Sequence, residues 1–335
     1  MADQPIRLRR PLRLACVTNP ESGRNRRHLA EVRALLSARP DVVHREARGQ
    51  RAVSEALREM GADPPDLLAV NGGDGTVAAV LTTLLLEGPF PRLPLLVLLR
   101  GGTTNMTAGD VGAREALLPS LRRLLDPSGE LEGTVVERPV LRVDVSPEGP
   151  AQFGMFFGTG AIVRGIEFCH RRVHSRGLRD SLAPALCTLR VLWAMARGDE
   201  RYVAPRPMTV AGRVAGEQAG GGEEGQEQDY LLVLASSLER LFAGLRPYWG
   251  DAEGAFYHSR LRARPGHALG TLAPLFWGRA GRFARPEHGY YSGKLDSLSL
   301  QMDGPVTVDG EVYQASRQAG PVRVSVGGRL AFLRF

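Results

Sequence analysis

The chain contains a single lysine, Lys294, and arginine supplies nearly all of its other positive charge. P-loop kinases require a lysine in the loop GxxxxGKS/T, and protein kinases require one on their third strand. Lys294 lies in the run Tyr-Ser-Gly-Lys-Leu, which matches neither pattern. The sequence therefore excludes both of these large kinase classes.

Cysteine and long apolar runs are also scarce. Cys16, Cys169 and Cys187 are scattered and form no CxxC pair, so neither a disulfide framework nor a zinc knuckle is predicted. No apolar run reaches the roughly 18 residues that are needed to cross a bilayer. The basic segment Met1–Arg13 is not followed by an apolar stretch with a cleavage site. We therefore expect a cytoplasmic protein.

Positive charge is abundant, with a formal net charge of +7 over 335 residues. A basic surface attracts nucleic acid, anionic lipid or phosphorylated ligands, and composition alone does not choose among them. The charge is accompanied by no recognised nucleic-acid-binding module and no interleaved aromatic residues. We therefore expect no nucleic-acid partner.

Strand and helix patterns alternate over the first ~130 residues, as in a mostly parallel βαβ sheet. Strands are predicted at Leu12–Thr18, Asp41–Glu46, Asp66–Asn71 and Leu93–Leu99. Helices are predicted at Asn25–Ala38, Gln50–Met60, Val77–Leu86 and Ala113–Leu125. Strand patterns dominate the rest of the chain, apart from one apolar helix predicted over Ser181–Ala196. The pattern predicts an α/β domain followed by an antiparallel β domain.

Three glycine-containing loops follow predicted strands one, three and four: Asn19–Arg24, Gly72–Thr76 and Gly101–Asn105. The carboxyl ends of the strands form the ligand crevice of an open parallel sheet. Glycine lets a phosphate approach backbone N–H groups at the start of the following helix. The candidate phosphate-binding residues are Asn19, Pro20, Ser22, Gly23, Arg24, Gly72, Gly73, Asp74, Gly75, Thr76, Gly102, Thr103, Thr104 and Asn105.

The same loops have a second interpretation, since glycine, asparagine and serine dominate ordinary turns. For a single loop the two interpretations have about equal weight, but three such loops on one sheet edge favour a ligand site. Asp74 is unusual in an anion site. Its carboxylate would hold a magnesium ion, directly or through water, or orient the loop.

Four motifs together resemble the diacylglycerol kinase catalytic-domain family, which includes bacterial lipid kinases, ceramide kinases and sphingosine kinases. Gly72–Thr76 is similar to the family's GGDGT loop, Asn19–Gly23 to its NPxSG loop and Gly102–Asn105 to its GTTN segment. Asp309-Gly310-Glu311 is similar to its late DGE motif. The motifs occur in the family's order across nearly the whole chain.

The resemblance implies a Rossmann-like, three-layer α/β nucleotide domain of the NAD kinase type over residues 1–134. It implies an antiparallel β-sandwich over residues 135–335 that carries the lipid substrate and the DGE motif. The implied cofactors are ATP and Mg²⁺, and the implied reaction transfers the γ-phosphate to a lipid hydroxyl, as of diacylglycerol, a ceramide or a sphingoid base. The implied partner is an anionic membrane surface contacted peripherally, and a homodimer is compatible with it.

Asp309 and Glu311 are the candidate catalytic residues. Phosphoryl transfer needs a group that receives the hydroxyl proton, and Asp309 is the candidate base. Glu311 would order the magnesium or the loop. From the residues alone, the favoured interpretation is a hairpin turn at Asp309-Gly310 between two short strands.

Other positions depart from the family pattern. Met106 replaces a common aspartate, Ala78-Ala79 replace Asn-Glu, and the threonine expected after the second strand is missing near His44. These changes put turnover, metal handling and nucleotide preference in doubt. Pro247–Gly254 loosely resembles a metal-binding turn of the family, with Asp251 and Glu253 as candidate ligands, although a solvated turn is the better interpretation.

Two alternatives remain open. NAD kinase-like enzymes share GGDGT, but their Asn-Glu dinucleotide-binding motif has no match, because the chain contains no Asn-Glu pair. The substitutions at Ala78, Ala79 and Met106 motivate the second alternative, a degenerate sensor that binds nucleotide or anionic lipid without turnover.

Overall fold

The structure is a computed structural model that describes residues 3–9, 11–128, 130–166, 205–214, 225–241, 244–250, 253–275 and 277–335. The chain divides into two compact units, one of Met1–Val140 with Gly328–Phe335 and one of Leu141–Gly327. The predicted helix Ser181–Ala196 lies outside the described residues. Within the described part, no helix is both long and apolar enough to cross a membrane.

The elements are numbered here in chain order within the described residues. The first unit contains β1 Gln4–Arg9, β2 Leu14–Thr18, α1 Asn25–Ser37, β3 Val43–Glu46, α2 Gly49–Met60, β4 Leu67–Gly72, α3 Asp74–Thr82, β5 Leu95–Arg100, α4 Met106–Val111 and α5 Leu117–Leu125. The second contains β7 Gln152–Gly154, β8 Phe156–Gly160, β9 Arg206–Arg213, β10 Glu227–Ser236, β11 Phe256–Arg262, α6 Ala268–Leu275, β12 Tyr290–Leu295, β13 Ser297–Gln301, β14 Gly304–Val308 and β15 Glu311–Ala315. Strands β6 Glu130–Asp144 and β16 Val322–Arg334 have residues in both units.

The first unit is built on a parallel sheet in the order β3-β2-β4-β5. Alternate strand residues such as Cys16, Ala69 and Val97 share a buried cluster with Val32 of α1 and Leu121 of α5. The intervening strand residues are also buried, and helices α2 and α3 contact β2 and β4. Since both faces of the sheet are covered by helices, the predicted three-layer α/β domain is confirmed.

Two predicted helices begin or end at other residues. Helix α3 begins at Asp74, three residues before the predicted start, so it takes up part of the glycine loop. The predicted helix Ala113–Leu125 corresponds to α5, which begins only at Leu117 because Ala116 has an extended backbone conformation. A separate short helix, α4, precedes it and ends just before the extended Gly112. Apolar periodicity locates neither boundary.

The second unit is antiparallel, with strand order β15-β14-β8-β10-β9-β13-β16. Strand β10 also pairs with β11, which pairs with β12. Alternate residues of these strands, among them Phe157, Val233, Phe256, Leu298 and Val324, meet in one buried cluster. The unit is the predicted antiparallel β-sandwich.

The two compact units differ in two ways from the domain bounds predicted from the sequence, residues 1–134 and 135–335. The division falls after Val140, because β1 pairs with the first residues of the long strand β6, from Glu130 to Val135. The chain end returns to the first unit, where Phe332 of β16 lies beside Leu96 as a parallel neighbour of β5. Strands β6 and β16 thus each contribute residues to both cores, which a single sequence boundary does not represent.

Candidate functional site

The three glycine loops follow β2, β4 and β5 at one edge of the parallel sheet and are joined directly to one another. The backbone N–H of Gly73 donates to Ser22 Oγ at 3.2 Å, and Asn19 Nδ2 donates to Thr76 Oγ1 at 3.0 Å. The backbone N–H of Arg24 donates to the Gly101 carbonyl at 2.9 Å. The structure therefore brings together the predicted residues of all three loops.

The first loop is shaped by Asn19 and Pro20. Asn19 Oδ1 accepts a hydrogen bond from the Glu21 backbone N–H at 3.0 Å, which closes an Asx turn around Pro20. The Ser22 backbone N–H then donates to the Asn19 carbonyl at 3.3 Å. Asn19 and Ser22 are therefore occupied in folding the loop and in joining it to its neighbour.

The glycines are required because the loops pack on one another. A Cβ at Gly102 would overlap the Cα of Gly73, and a Cβ at Gly23 would overlap Thr103 Oγ1. A Cβ at Gly72 would lie 2.5 Å from the Cβ of Thr76. Their first role is therefore contact between loops, whereas the sequence suggested close approach of a phosphate.

Asp74 joins the second loop to the third. Its Oδ2 accepts from the Met106 backbone N–H at 3.1 Å and its Oδ1 from the Thr107 backbone N–H at 3.0 Å. Asp74 therefore caps the amino terminus of α4. The residue keeps some exposed surface, but burial of its carboxyl group raises the pKa of that group. Of the two roles predicted for Asp74, this geometry supports orienting the loop.

Asn105 folds the third loop onto itself. Its Oδ1 accepts from the Gly102 backbone N–H at 2.8 Å, and its Nδ2 donates to the Gly102 carbonyl at 2.7 Å. Its backbone is left-handed, with φ of 51°, a conformation that asparagine tolerates better than most residues. Asn105 thus holds the loop in shape from a buried position.

Two buried asparagines at the site were not predicted. Asn25 is 0% exposed, and its Nδ2 donates to the carbonyls of Asn19 at 2.7 Å and of Asn71 at 3.0 Å. Asn25 Oδ1 and both polar side-chain atoms of Asn71 have no hydrogen-bond partner within the described chain. They lie against Gly101, where a Cβ would be 2.8 Å from Asn25 Oδ1. The available signal was an asparagine in the first turn of a helix, where its helix propensity is poor.

Of the predicted phosphate-binding residues, Gly75, Thr103 and Thr104 are exposed. Glu21 of the first loop is exposed as well, and it pairs with Arg48. Gly75 is the second residue of α3, so its N–H has no partner within the helix and lies at the positive end of the helix dipole. The two threonines add hydroxyl groups at the neighbouring loop. This combination of helix terminus, hydroxyls and nearby Arg24 is suited to binding phosphate oxygens.

In the second unit, Asp309 occupies the turn of the hairpin β14–β15. Asp309 and Gly310 have φ values of 46° and 95°, as in the tight turn that the residues alone favoured. The carboxylate is 6% exposed and accepts from the backbone N–H groups of Met155 at 3.0 Å and Phe156 at 2.9 Å. A Cβ at Gly154 would lie 2.6 Å from Asp309 Oδ2. The aspartate is therefore held firmly, with one backbone donor on each oxygen.

Glu311 is exposed at the start of β15. Burial raises the pKa of the nearby Tyr313 phenol, and the negative charges of Glu311 and Asp309 raise it further. Tyr313 donates its hydroxyl proton to Gln152 Oε1 at 2.9 Å. The charges of both candidate carboxylates of the DGE motif thus raise the pKa of the same phenol, Tyr313, in the second unit.

Comparison with known proteins identifies this arrangement. Residues 13–129 match the family model of the diacylglycerol kinase catalytic domain. This segment of the chain is thus similar to a diacylglycerol kinase catalytic domain. The match runs from the start of β2 to just beyond α5 and includes all three loops, while the Asp309 hairpin lies outside the matched segment. No curated protein sequence matches the chain.

Solved structures share the fold over nearly the whole chain. One is described as a diacylglycerol kinase from Bacillus anthracis str. Sterne; it has a TM-score of 0.61 and 16% identity, covering 97% of this chain and 98% of that one. Two further structures from the same organism each have a TM-score of 0.63, with 16% and 15% identity. They cover 97% and 98% of this chain, and 98% and 99% of their own.

A kinase domain implies a bound nucleotide and usually a divalent metal ion. The candidate magnesium ligands predicted from the sequence are Asp74, Asp251 and Glu253. Asp251 lies outside the described residues, and Glu253 is exposed just before β11. The described residues contain no cluster of three or more His, Cys, Asp or Glu suited to a metal. Magnesium takes six oxygen ligands, and Asp74 with the neighbouring hydroxyls supplies fewer than six. These residues therefore fit a magnesium ion whose remaining ligands are phosphate oxygens and water.

Proposed function

We propose that this chain is an ATP-dependent lipid kinase that transfers the γ-phosphate to a hydroxyl of a lipid such as diacylglycerol, a ceramide or a sphingoid base. The observation that carries the proposal is the joined loop cluster of the kinase domain. Its internal hydrogen bonds hold Gly75, Thr103 and Thr104 exposed at one sheet edge. Support for the lipid acceptor comes from the diacylglycerol kinase family match.

ATP phosphates would bind at the exposed donors of the loop cluster. The Gly75 N–H and the threonine hydroxyls would donate to phosphate oxygens, and Arg24 would add positive charge. Magnesium would neutralise charge on the phosphates when bound. Because Asp74 and Asn105 fix the loops beforehand, binding would need little rearrangement of the backbone.

Asp309 would accept the proton of the lipid hydroxyl. Each carboxylate oxygen accepts one backbone hydrogen bond, from Met155 and from Phe156. The two backbone donors orient the group, which a base needs for proton transfer. Glu311 would assist from its exposed position by ordering the loop or the metal.

The apolar part of the acceptor would bind in the second unit. A cavity of about 20 Å³ lies between β10, β11 and helix α6, and its lining is mainly apolar: Leu232, Leu234, Pro247, Trp249, Ser259, Leu261, Leu272 and Leu275. This volume holds about one water molecule, so an acyl chain would have to move α6 outward.

The alternative without turnover rests on Met106, Ala78 and Ala79. Met106 and Ala79 are buried, so their side chains fill the interior of the unit. Asp74 contacts the backbone of residue 106, and the missing aspartate side chain therefore does not remove this connection between loops. The loop structure that nucleotide binding would require is therefore kept in spite of the substitution at Met106, and measured turnover distinguishes the kinase from the sensor.

Labelled ATP and mixed micelles that contain diacylglycerol, ceramide or sphingosine would test the proposal with the purified full chain. We expect labelled lipid with at least one acceptor and none when NAD replaces the lipid. Normal ATP binding with no labelled lipid from a broad acceptor panel would contradict the kinase and favour the sensor. Labelling of NAD alone would favour an NAD kinase-like enzyme.

A further inference from the structure

The β-sandwich unit contains a second, larger cavity. Its volume is about 310 Å³, and it is lined by residues of β11, β12 and the segment before β12, including His258, Arg260, Ala284, Tyr290 and Tyr291. A water molecule occupies roughly 30 Å³, and ligand pockets begin at about 300 Å³. The cavity is therefore large enough for a small organic ligand.

Arg260 gives the cavity a positive wall. It lies on β11 directly opposite Tyr291 of β12, and its Cζ is 4.5 Å from the centre of the tyrosine ring. The residue is 8% exposed, and none of the ten described residues that line the cavity is acidic. A guanidinium group presents a planar set of donors that matches phosphate oxygens. The lining thus favours an anion, and phosphate in particular.

His258 adds an unsatisfied polar atom on the same face of β11. It is 9% exposed, and its Nδ1 has no hydrogen-bond partner within the described chain. Burial, and then the charge of Arg260, lower the pKa of His258 to about 4. The ring is therefore neutral at pH 7, and Nδ1 donates or accepts one hydrogen bond according to the tautomer. A ligand hydroxyl satisfies this atom in either tautomer, because a hydroxyl both donates and accepts.

We propose that this cavity binds a phosphate group carried on a polyol, as in glycerol phosphate. The phosphate pairs with Arg260, a hydroxyl of the polyol hydrogen-bonds to His258 Nδ1, and the carbon skeleton lies against Tyr291 and Trp249. The same chemistry occurs in a soluble glycerol phosphate and in a phosphatidylglycerol headgroup. The site is built from β-sandwich residues alone and does not depend on the proposed kinase reaction.

Calorimetric titration of the full chain with glycerol 3-phosphate and with methyl phosphate, which has no hydroxyl, tests both contacts. ATP is present throughout to occupy the loops of the kinase domain. We expect glycerol 3-phosphate to bind about tenfold more tightly, as for one hydrogen bond to a buried polar atom. His258→Phe should reduce this preference to within about twofold.

Arg260→Gln should weaken both ligands by about tenfold or more. The matched control is Arg264→Gln, which removes the same charge from an exposed residue just beyond β11 and should leave both affinities within about twofold. If Arg260→Gln does not fold, Arg260→Lys replaces it; Lys keeps the charge without the planar fork and should bind both ligands more weakly than the parent.

Flotation with phosphatidylcholine vesicles, with and without phosphatidylglycerol, identifies the source of the ligand. Vesicle binding that depends on Arg260 supports a lipid headgroup, and binding of glycerol 3-phosphate alone supports a soluble ligand. The proposal is overturned if neither probe binds at millimolar concentration, or if folded Arg260 variants bind like the parent. Equal affinity of the parent for glycerol 3-phosphate and methyl phosphate would also overturn it.

Discussion

Asn25 connects the three glycine loops through its buried side-chain amide and its backbone N–H. Its Nδ2 holds two carbonyls, at Asn19 and Asn71, and its backbone N–H donates to Gly101. Asn25→Ala leaves buried acceptors without a donor, so we expect the free energy of unfolding to fall by about 2 kcal/mol and the KM for ATP to rise. Urea denaturation and steady-state kinetics measure the two effects. Arg26→Ala, at the next and exposed position, is the control, and equal effects of both substitutions would contradict the role of Asn25.

His258 should make stability depend on pH. Its folded pKa of about 4 lies below the unfolded value, so the unfolded chain binds more protons as the pH falls from 6.5 toward 4. The neutral ring faces Arg260 on its own strand and Tyr290 and Tyr291 on β12, which line the same cavity. Between pH 7 and pH 5 the parent should lose about 2 kcal/mol of unfolding free energy from this residue.

The variant His258→Phe removes this titration, so its loss of stability over the same pH range should be smaller by about that amount. Urea denaturation at pH 7 and pH 5 gives the comparison. His28→Gln, at an exposed histidine paired with Glu31, serves as the control. The same pH dependence in the parent and in His258→Phe would show that His258 is not the titrating group.

At the scale of residues, the sequence predicted which groups meet but not what each one contacts. Asn19, Ser22 and Thr76 were predicted together, because strand-end loops of a parallel sheet must share one edge. The role of Asn25 depends on which carbonyls lie within 3 Å of its amide, and spacing along the chain does not contain that information. The sequence likewise does not distinguish metal binding from loop orientation for Asp74. Its contacts with the backbone N–H groups of Met106 and Thr107 support loop orientation.

At the scale of elements, the three glycine loops that follow β2, β4 and β5 pack closely on one another, and this packing should control nucleotide binding. Gly102→Ala would push the third loop away from Gly73, and we expect ATP affinity to fall by about tenfold or more. Gly109→Ala is a close control, since a Cβ at this exposed position of α4 meets nothing within 4 Å. It should stabilise the helix by about 0.5–1 kcal/mol and leave ATP binding intact. Unchanged ATP affinity in Gly102→Ala would contradict this account of the loops.

The bend between β7 and β8 should position Asp309. A Cβ at Gly154 would lie 2.6 Å from Asp309 Oδ2, so Gly154→Ala should displace the carboxylate and lower kcat about tenfold or more. The KM for ATP should change little, because the substitution lies in the second unit. Gly281→Ala, where a Cβ meets nothing within 4 Å, is the control. A fully active Gly154→Ala enzyme would show that the position of Asp309 does not limit turnover.

Element boundaries were the least predictable part of the fold. Helix α3 begins at Asp74 inside the glycine loop, and the apolar periodicity used to locate it starts only at Val77. Helix α4 follows directly from the left-handed Asn105 and the Asp74 cap, both of which are tertiary features. The order and type of the main elements were predictable, because strands buried on both faces and amphipathic helices leave strong patterns.

At the scale of the whole molecule, the chain returns to the kinase domain at its end. Phe332 is 0% exposed beside Leu96, so the last eight residues, Gly328–Phe335, complete a core built from the first 140. The sequence predicted two successive domains, because composition changes only once along the chain. Strand β16 passes from one core to the other at Gly327-Gly328, but a pair of glycines is equally typical of an ordinary turn and does not by itself show that the strand changes cores.

The central claim is that Asp309 receives the proton of the acceptor hydroxyl in the proposed phosphoryl transfer. The most direct test compares lipid phosphorylation by the parent, Asp309→Asn and the exposed control Glu148→Gln, with ATP binding measured alongside. Loss of a general base typically costs about 10²–10⁴-fold in rate, so Asp309→Asn should lose at least 100-fold in kcat while it binds ATP normally. Glu148→Gln should match the parent. Lipid phosphorylation by Asp309→Asn at the parent's rate would contradict the account.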